Sequence, residues 1–197
     1  MSATYSFGLP LKNNYVDFVH LEGFLDEREV DTITQLWDPG LMEPANVYGQ
    51  SGGMQQDDFR RSNLMFLNPE PQLMWLYERL GKAAVENNHH RYHFDLLGFH
   101  EGFQLARYDH QDHFDWHMDF GVGMISSRKL SLSVQLSDGH SYEGGDLQFM
   151  INNQVYNAPR TKGTLIIFPS YLMHRVTPIT AGVRMSIVGW ASGPPYR

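Results

Sequence analysis

The sequence contains no cysteine. That excludes a disulfide framework, a thiolate zinc finger, an iron–sulfur cluster and a thiol nucleophile. It has no apolar run near the roughly 18 residues that mark a membrane span. Its first residues, Met1 to Pro10, lack both the basic stretch and the apolar stretch of a secretory leader. Positive charge is scarce: 15 Lys and Arg stand against 22 Asp and Glu, a formal net charge of −7. Such a chain is a poor partner for a phosphate backbone, which needs clustered basic side chains. Repeats, low-complexity tracts and Gly/Ser linkers are absent. What is present is an ordinary globular composition, 42% apolar and 13% aromatic in 197 residues. That is too apolar for a disordered chain and is the length of one domain. The expectation is a single-domain cytoplasmic protein that binds neither nucleic acid nor membrane.

Tyr15 to Leu21 alternates as a strand does. Asp26, with Glu29 three residues on, has the form of a capping box. The helix it opens carries the stripe Val30, Ile33, Leu36 and Trp37 and stops at Asp38-Pro-Gly40. Residues 46–58 read as a loop. A second helix is expected from Asn68-Pro69, with Leu73, Leu76, Tyr77, Leu80 and Ala84 on its apolar face. From about Tyr92 onward short strands separated by Gly, Asp, Asn and Pro take over. Helices first and strands afterwards predict an α+β, mainly β domain, with helices packed on an antiparallel sheet or barrel. One strand shows both faces. Leu130, Leu132, Val134 and Leu136 alternate with Ser131, Ser133, Gln135 and Ser137, so the apolar face is buried. The polar face meets either solvent or a polar cavity.

Ten histidines are present. His89, His90 and His93 read as residues at the end of the second helix. His20, His100 and His140 are isolated, and His110 and His113 sit in a polar loop with no metal-ligand spacing. His117-Met-Asp119 differs: residues two apart on an extended strand project from one face, so an imidazole and a carboxylate point together. With His174 they form two histidines and a carboxylate, the set of non-haem Fe(II) oxygenases and also of zinc hydrolases. Arg184 follows in Gly182-Val-Arg-Met-Ser-Ile-Val-Gly-Trp190, where Arg184, Ser186, Val188 and Trp190 share a face. A guanidinium in so apolar a strand needs an anion, and its planar fork suits a carboxylate. An internal Asp or Glu is the other partner it could have.

From Leu105 to Trp190 the chain resembles the 2-oxoglutarate- and Fe(II)-dependent oxygenases, in their prolyl 4-hydroxylase-like branch. The resemblance is carried, in order, by Ala-Arg-Tyr108, His117-Met-Asp119, Arg128-Lys-Leu-Ser131, Tyr142-Glu-Gly-Gly-Asp-Leu147, Lys162-Gly163, Phe168-Pro-Ser-Tyr-Leu-Met-His174, Val176-Thr-Pro178 and Gly182-Val-Arg184 through Trp190. It implies a double-stranded β-helix (a jelly-roll, cupin-like barrel) with supporting N-terminal helices. Residues 1–197 would form one catalytic domain, about 1–90 as helical support and about 91–197 as the barrel core.

The same resemblance implies Fe(II) on His117, Asp119 and His174, and 2-oxoglutarate held by Arg184 with Ser186. Tyr108, Ser133, Gln135 and Trp190 would line that pocket, and the polar face of the Leu130 strand would face the barrel interior. Dioxygen is the second co-substrate, and ascorbate would sustain turnover. The prime substrate implied is proline, in a peptide or protein or as the free amino acid, with another amino acid or small metabolite as the alternative. Members that hydroxylate proline often carry tyrosine where Gln135 falls, and collagen-type members carry lysine where Arg184 falls. Nucleic-acid demethylases of this class carry a second arginine where Trp190 stands. Halogenases lack the carboxylate that Asp119 supplies. Outside the class, a zinc-dependent hydrolase leaves Arg184 unexplained, and a catalytically silent jelly-roll binding module has no need of the triad and the arginine together.

Overall fold

The computed structural model describes residues 15–44 and 59–195. The chain begins with β1 (Val19–Leu21), α1 (Glu27–Thr34), β2 (Glu43–Pro44), β3 (Arg60–Arg61) and β4 (Asn63–Leu67), then α2 (Met74–Asn87). Strands fill the rest: β5 (Gly98–Phe99), β6 (Phe103–Tyr108), β7 (His113–His117), β8 (Arg128–Gln135), β9 (Tyr142–Gly144), β10 (Leu147–Ile151), β11 (Gln154–Asn157), β12 (Leu165–Pro169), β13 (His174–Val176), β14 (Ile179–Gly182) and β15 (Arg184–Ser192). A major antiparallel sheet runs β1-β12-β8-β15-β6-β4-β2, with β5 added on β15; a minor sheet runs β11-β10-β13-β7-β3. Among the described residues no helix is long and apolar enough to cross a membrane.

The capping box forms as the sequence predicts. The Asp26 carboxylate accepts from the Glu29 amide and the Glu29 carboxylate from the Asp26 amide, each at 2.9 Å. Glu29 also pairs with Arg79 of α2, tying the two helices together. Three expectations need correction. The first strand is only Val19–Leu21, not the whole of Tyr15 to Leu21. The second helix does not open at Pro69. Pro71 holds the preceding Glu70 extended (φ −83°, ψ 158°), as a residue before proline must be. A 3₁₀ turn at Pro71–Leu73 then leads into α2. Nor do helices precede all the strands, since β1 to β4 come early, and β4 lies between β6 and β2 in the major sheet. The loop expected at 46–58 lies outside the described residues.

The core is split by the major sheet. One apolar cluster joins Val30 and Ile33 of α1 and Leu76 and Leu80 of α2 to Leu130, Leu132 and Val134 of β8 and to Leu165 and Ile167 of β12. The second includes Ala106, Tyr108, Phe149, Ile166, Phe168 and Val176, which belong to both sheets. Successive residues of β12 therefore go to opposite clusters, as period 2 requires. The apolar face of β8 turns to the helices. Its polar face, Ser131, Ser133 and Gln135, is consequently turned between the two sheets.

Candidate active site

Strand register assembles the site. In the minor sheet β13 pairs with β7 so that His174 stands opposite His117. Asp119 lies just beyond the end of β7 rather than on the strand. The bend that carries it is fixed by a hydrogen bond from the Phe120 amide to the Ser170 carbonyl at 3.0 Å. In the major sheet β15 pairs with β8 so that Ser186 faces Gln135, Val188 faces Ser133 and Trp190 faces Ser131; β6 sets Tyr108 opposite Arg184. The sheets enclose a cavity of about 390 Å³ lined by His117, Asp119, His174, Tyr108, Ser133, Arg184, Ser186 and Trp190, among others.

His117, Asp119 and His174 each offer a ligand atom, all within 4.8 Å of one another. His117 Nε2 lies 3.8 Å from Asp119 Oδ1, and His174 Nε2 lies 3.5 Å from Asp119 Oδ2. Both Nδ1 atoms face backbone carbonyls, of Asp115 at 2.7 Å and of Leu172 at 2.8 Å. A carbonyl only accepts, so each Nδ1 donates, and each Nε2 keeps its lone pair directed at the shared point. Burial, with the neighbouring His174 adding to it, pushes the His117 pKa down to about 3. The imidazole is therefore the neutral form that binds a metal. Burial alone would raise the Asp119 pKa. The two imidazoles, Arg128 and the Ser131 hydroxyl outweigh it and hold the carboxyl down at about 2. Ser131 Oγ donates to Asp119 Oδ2 at 2.6 Å. Phe114 stacks on the His117 ring and Phe168 meets the His174 ring edge-on, so apolar walls orient both imidazoles. The donor set of two imidazoles and one carboxylate fits a divalent iron with positions left open.

Arg184 lies across the cavity and is 1% exposed. Its Nη2 donates to Gln135 Oε1 at 3.0 Å and its Nη1 to Ser186 Oγ at 3.3 Å, while Nε has no partner. Among the described residues it makes no ion pair, so the internal Asp or Glu that the sequence left open is not found there. Gly145, at φ +63°, leaves it space: a Cβ there would come within 3.2 Å of Arg184 Cδ and 2.3 Å of Ile179 Cδ1. The Tyr108 ring lies beneath the guanidinium, 5.4 Å from its centre. A buried cation with an orphaned N–H and only neutral oxygens around it fits the distal carboxylate of a dicarboxylate. The Trp190 Nε1–H is also buried without a partner.

Eight of the nine residues singled out in the sequence line the cavity; Gln135 does not, and reaches it only through its hydrogen bond with Arg184. His89, His90, His93, His100, His110 and His140 are exposed elsewhere, as expected. Three participants carried no assigned role in the sequence. Arg128 is clamped by Glu101, with Nε donating to Oε1 at 2.7 Å, and stacks on Trp190 at 3.6 Å. Arg60 and Gln104 line the cavity and touch each other through Arg60 Nη2 and Gln104 Oε1 at 3.4 Å. Burial lowers the Arg60 pKa from its ordinary value. Its neighbour Arg61 is exposed, and two adjacent arginines give no signal that one of them turns inward.

Residues 103–192 match the family model described as the 2OG-Fe(II) oxygenase superfamily. A PKHD-type hydroxylase of Synechococcus sp. (strain CC9902) is 36% identical over 86 residues, covering 44% of this chain and 39% of the relative. One from Cupriavidus metallidurans is 37% identical over 90 residues, covering 43% and 40%. The matched part thus spans about two fifths of these relatives' length. Among solved structures, a Pseudomonas putida prolyl-4-hydroxylase superposes with a TM-score of 0.73 at 18% identity, covering 90% of this chain and 93% of that one. A Trichoplax adhaerens prolyl hydroxylase in complex with a hypoxia inducible factor peptide fragment gives 0.71 at 16% identity, covering 89% and 83%. At such identities the likeness establishes the fold, a double-stranded β-helix.

Proposed function

We propose that this chain is a member of the 2OG-Fe(II) oxygenase superfamily, whose family model its residues 103–192 match, and within it a prolyl 4-hydroxylase-like dioxygenase. Residues 1–197 work as one catalytic domain. The substrate is proline, in a peptide or protein or as the free amino acid; the alternative is another amino acid or a small metabolite. His117, Asp119 and His174 hold Fe(II), and Arg184 with Ser186 holds the distal carboxylate of 2-oxoglutarate. When bound, Fe(II) with 2-oxoglutarate and dioxygen supplies the power to replace an unactivated C–H by C–OH, with succinate and carbon dioxide released. Ascorbate would sustain turnover.

The chain's own residues set the geometry for this chemistry. The two Nδ1–H bonds to backbone carbonyls and the Ser131–Asp119 bond fix the three ligand atoms before any metal arrives, so little reorganisation remains. Gln135 aims the Arg184 fork. The Trp190 Nε1–H offers a further donor to an oxygen in the cavity. Phe114, Phe168 and Tyr108 keep the surroundings poor in water, which strengthens each charge–charge contact inside.

The observation that carries this reading is Arg184: a buried guanidinium with an unpartnered Nε, facing a two-histidine, one-carboxylate cluster across the cavity. A zinc hydrolase using the same triad has no use for that cation. The test is succinate release from 2-oxoglutarate under air with Fe(II) and ascorbate, across free proline, prolyl peptides and other amino acids, with product mass read in parallel. Succinate that depends on all of Fe(II), 2-oxoglutarate and one of these substrates, with that substrate gaining one oxygen, supports the proposal. A metal-dependent hydrolysis in its place sinks it.

A further inference from the structure

Besides Arg184 and the Glu101-paired Arg128, the cavity holds a third buried guanidinium that neither the metal nor 2-oxoglutarate requires. Arg60, on β3, is 8% exposed and lines the cavity. Its Nε donates to Ser62 Oγ at 3.2 Å and its Nη2 to Gln104 Oε1 at a long 3.4 Å, and it also bonds to the Tyr108 hydroxyl. These are three neutral oxygens for a group with five N–H donors. Among the described residues Arg60 makes no ion pair. Its flat face lies on Phe114, 4.4 Å from the ring centre, and Phe114 in turn stacks on His117. A ring face offsets part of the cost of burying a cation, but not the loss of its water and counter-ion together.

Charge counting says what is missing. Among the described residues the lining contains three arginines, Arg60, Arg128 and Arg184, and one carboxylate, Asp119. Arg128 is neutralised by Glu101. The two charges of Fe(II) are met by Asp119 and one carboxylate of 2-oxoglutarate, and the other carboxylate pairs with Arg184. Arg60 feels Asp119 across the cavity but is left without a counter-ion of its own among the described residues, beside the ring that covers a metal ligand.

We propose that Arg60 anchors a carboxylate of the prime substrate, which makes that substrate a free amino acid or the C-terminal residue of a peptide rather than an internal residue. This deepens the oxygenase reading above and rests on it. The size of the cavity agrees: at about 390 Å³ it is near the low end of ligand pockets, roughly 300–1,000 Å³. It must hold the metal, 2-oxoglutarate and the reacting part of the substrate. A planar fork with spare N–H groups against an aromatic ring also has the form that recognises a carboxylate.

The experiment measures binding without turnover. The protein is loaded with Fe(II) and 2-oxoglutarate in the absence of oxygen and titrated by calorimetry. The probes are the free L-amino acids including L-proline, each beside its carboxamide; a proline-terminated peptide with its carboxylate free or amidated; and a peptide with internal proline and both ends blocked. The tightest binder is expected to carry a free carboxylate and to bind about tenfold or more tightly than its amide. Whether that binder is an amino acid or a peptide end names the source of the carboxylate. Arg60→Gln is expected to bring acid and amide within about threefold of each other, and Arg60→Lys to keep part of the preference. The 2-oxoglutarate affinity should stay within about twofold in both variants, which also shows that they are folded.

Equal binding of acid and amide overturns the proposal. So does a full preference surviving in Arg60→Gln, or a blocked internal peptide binding more tightly than every free carboxylate. If 2-oxoglutarate binds normally in those cases, only the Arg60 assignment falls. If the wild-type protein with Fe(II) fails to bind 2-oxoglutarate at all, the oxygenase reading falls and this one with it.

Discussion

Arg184 and Gln135 stand on adjacent strands, joined by one 3.0 Å hydrogen bond from Nη2 to Oε1, and the arginine's Nε is left with no partner. The pair is a preset fork. Gln135 fixes the guanidinium plane without neutralising it, so the cation stays available to an anion in the cavity. Arg184→Gln should therefore raise the 2-oxoglutarate concentration needed for half-maximal succinate release by about tenfold or more, since losing one partner of a buried charge pair costs roughly 2–5 kcal/mol. Arg184→Lys should lose less, because it keeps the charge but not the fork. Metal affinity should be unchanged in both. A wild-type 2-oxoglutarate titration in Arg184→Gln would mean the arginine serves only the fold.

Gln135 makes a subtler case. Gln135→Glu puts a carboxylate where the neutral Oε1 now meets Arg184. The variant should carry its own counter-ion and compete with 2-oxoglutarate for the guanidinium. The expected result is a roughly tenfold or greater rise in the 2-oxoglutarate requirement with metal binding intact. The titration used for Arg184 checks it, and an unaltered requirement would show that the two side chains do not act on the same anion.

The three proposed metal ligands give the most direct test. His174→Ala leaves two ligand atoms and should abolish tight Fe(II) binding, measured by anaerobic titration. Asp119→Glu keeps the charge but moves the oxygen by about an ångström, the scale on which misplacement costs about 10²-fold in rate. Its fold, followed by circular dichroism, should survive. Near wild-type turnover in Asp119→Glu would remove Asp119 from the ligand set. His89→Ala and His90→Ala, exposed at the end of α2, should change neither reading.

Ser131 acts through Asp119. Its hydroxyl donates to the carboxylate at 2.6 Å and lies 3.1 Å from Ser170 Oγ, so it both orients Asp119 and stabilises its charge. Ser131→Ala should weaken metal affinity about 10- to 100-fold, the usual cost of losing a partner behind a ligand. The 2-oxoglutarate affinity at saturating metal should hardly move. Equal loss in both would indicate a collapsed cavity instead of a misaimed carboxylate.

The N-terminal cap should affect stability alone. Asp26→Ala removes one half of the capping box and should cost about 1 kcal/mol. For a chain of this size that lowers Tm by about 2–4 °C. Turnover at 20 °C should be unchanged, because Asp26 sits on α1, on the far side of the major sheet from the cavity. A comparable loss of activity at that temperature would point to an unexpected link between α1 and the site.

Local order was written in the sequence. The Asp26–Glu29 box, the 3.6-residue stripe of Leu76, Tyr77 and Leu80, the unbroken alternation of Leu130 to Gln135 and the His117-Met-Asp119 spacing depend on residues close together in the chain. Their physics is legible from spacing alone. Arg184 was legible for a related reason: a lone cation in an apolar strand demands an anion wherever the strand lies.

The tertiary structure decided the rest. Alternation shows that β8 has two faces but not which neighbour each one meets; α1 and α2 take the apolar face, and only this turns Ser131, Ser133 and Gln135 inward. Pro71 delays α2 through a steric effect on Glu70 that Pro69 obscured. The contact of Arg60 with Gln104, and the stacking of Phe114 between Arg60 and His117, join segments far apart in sequence. Such contacts arise from strand pairing, since β3 aligns Arg60 with Phe114 on β7. A charge beside another charge in sequence looks like surface, and only register makes Arg60 a wall of the cavity while Arg61 stays exposed.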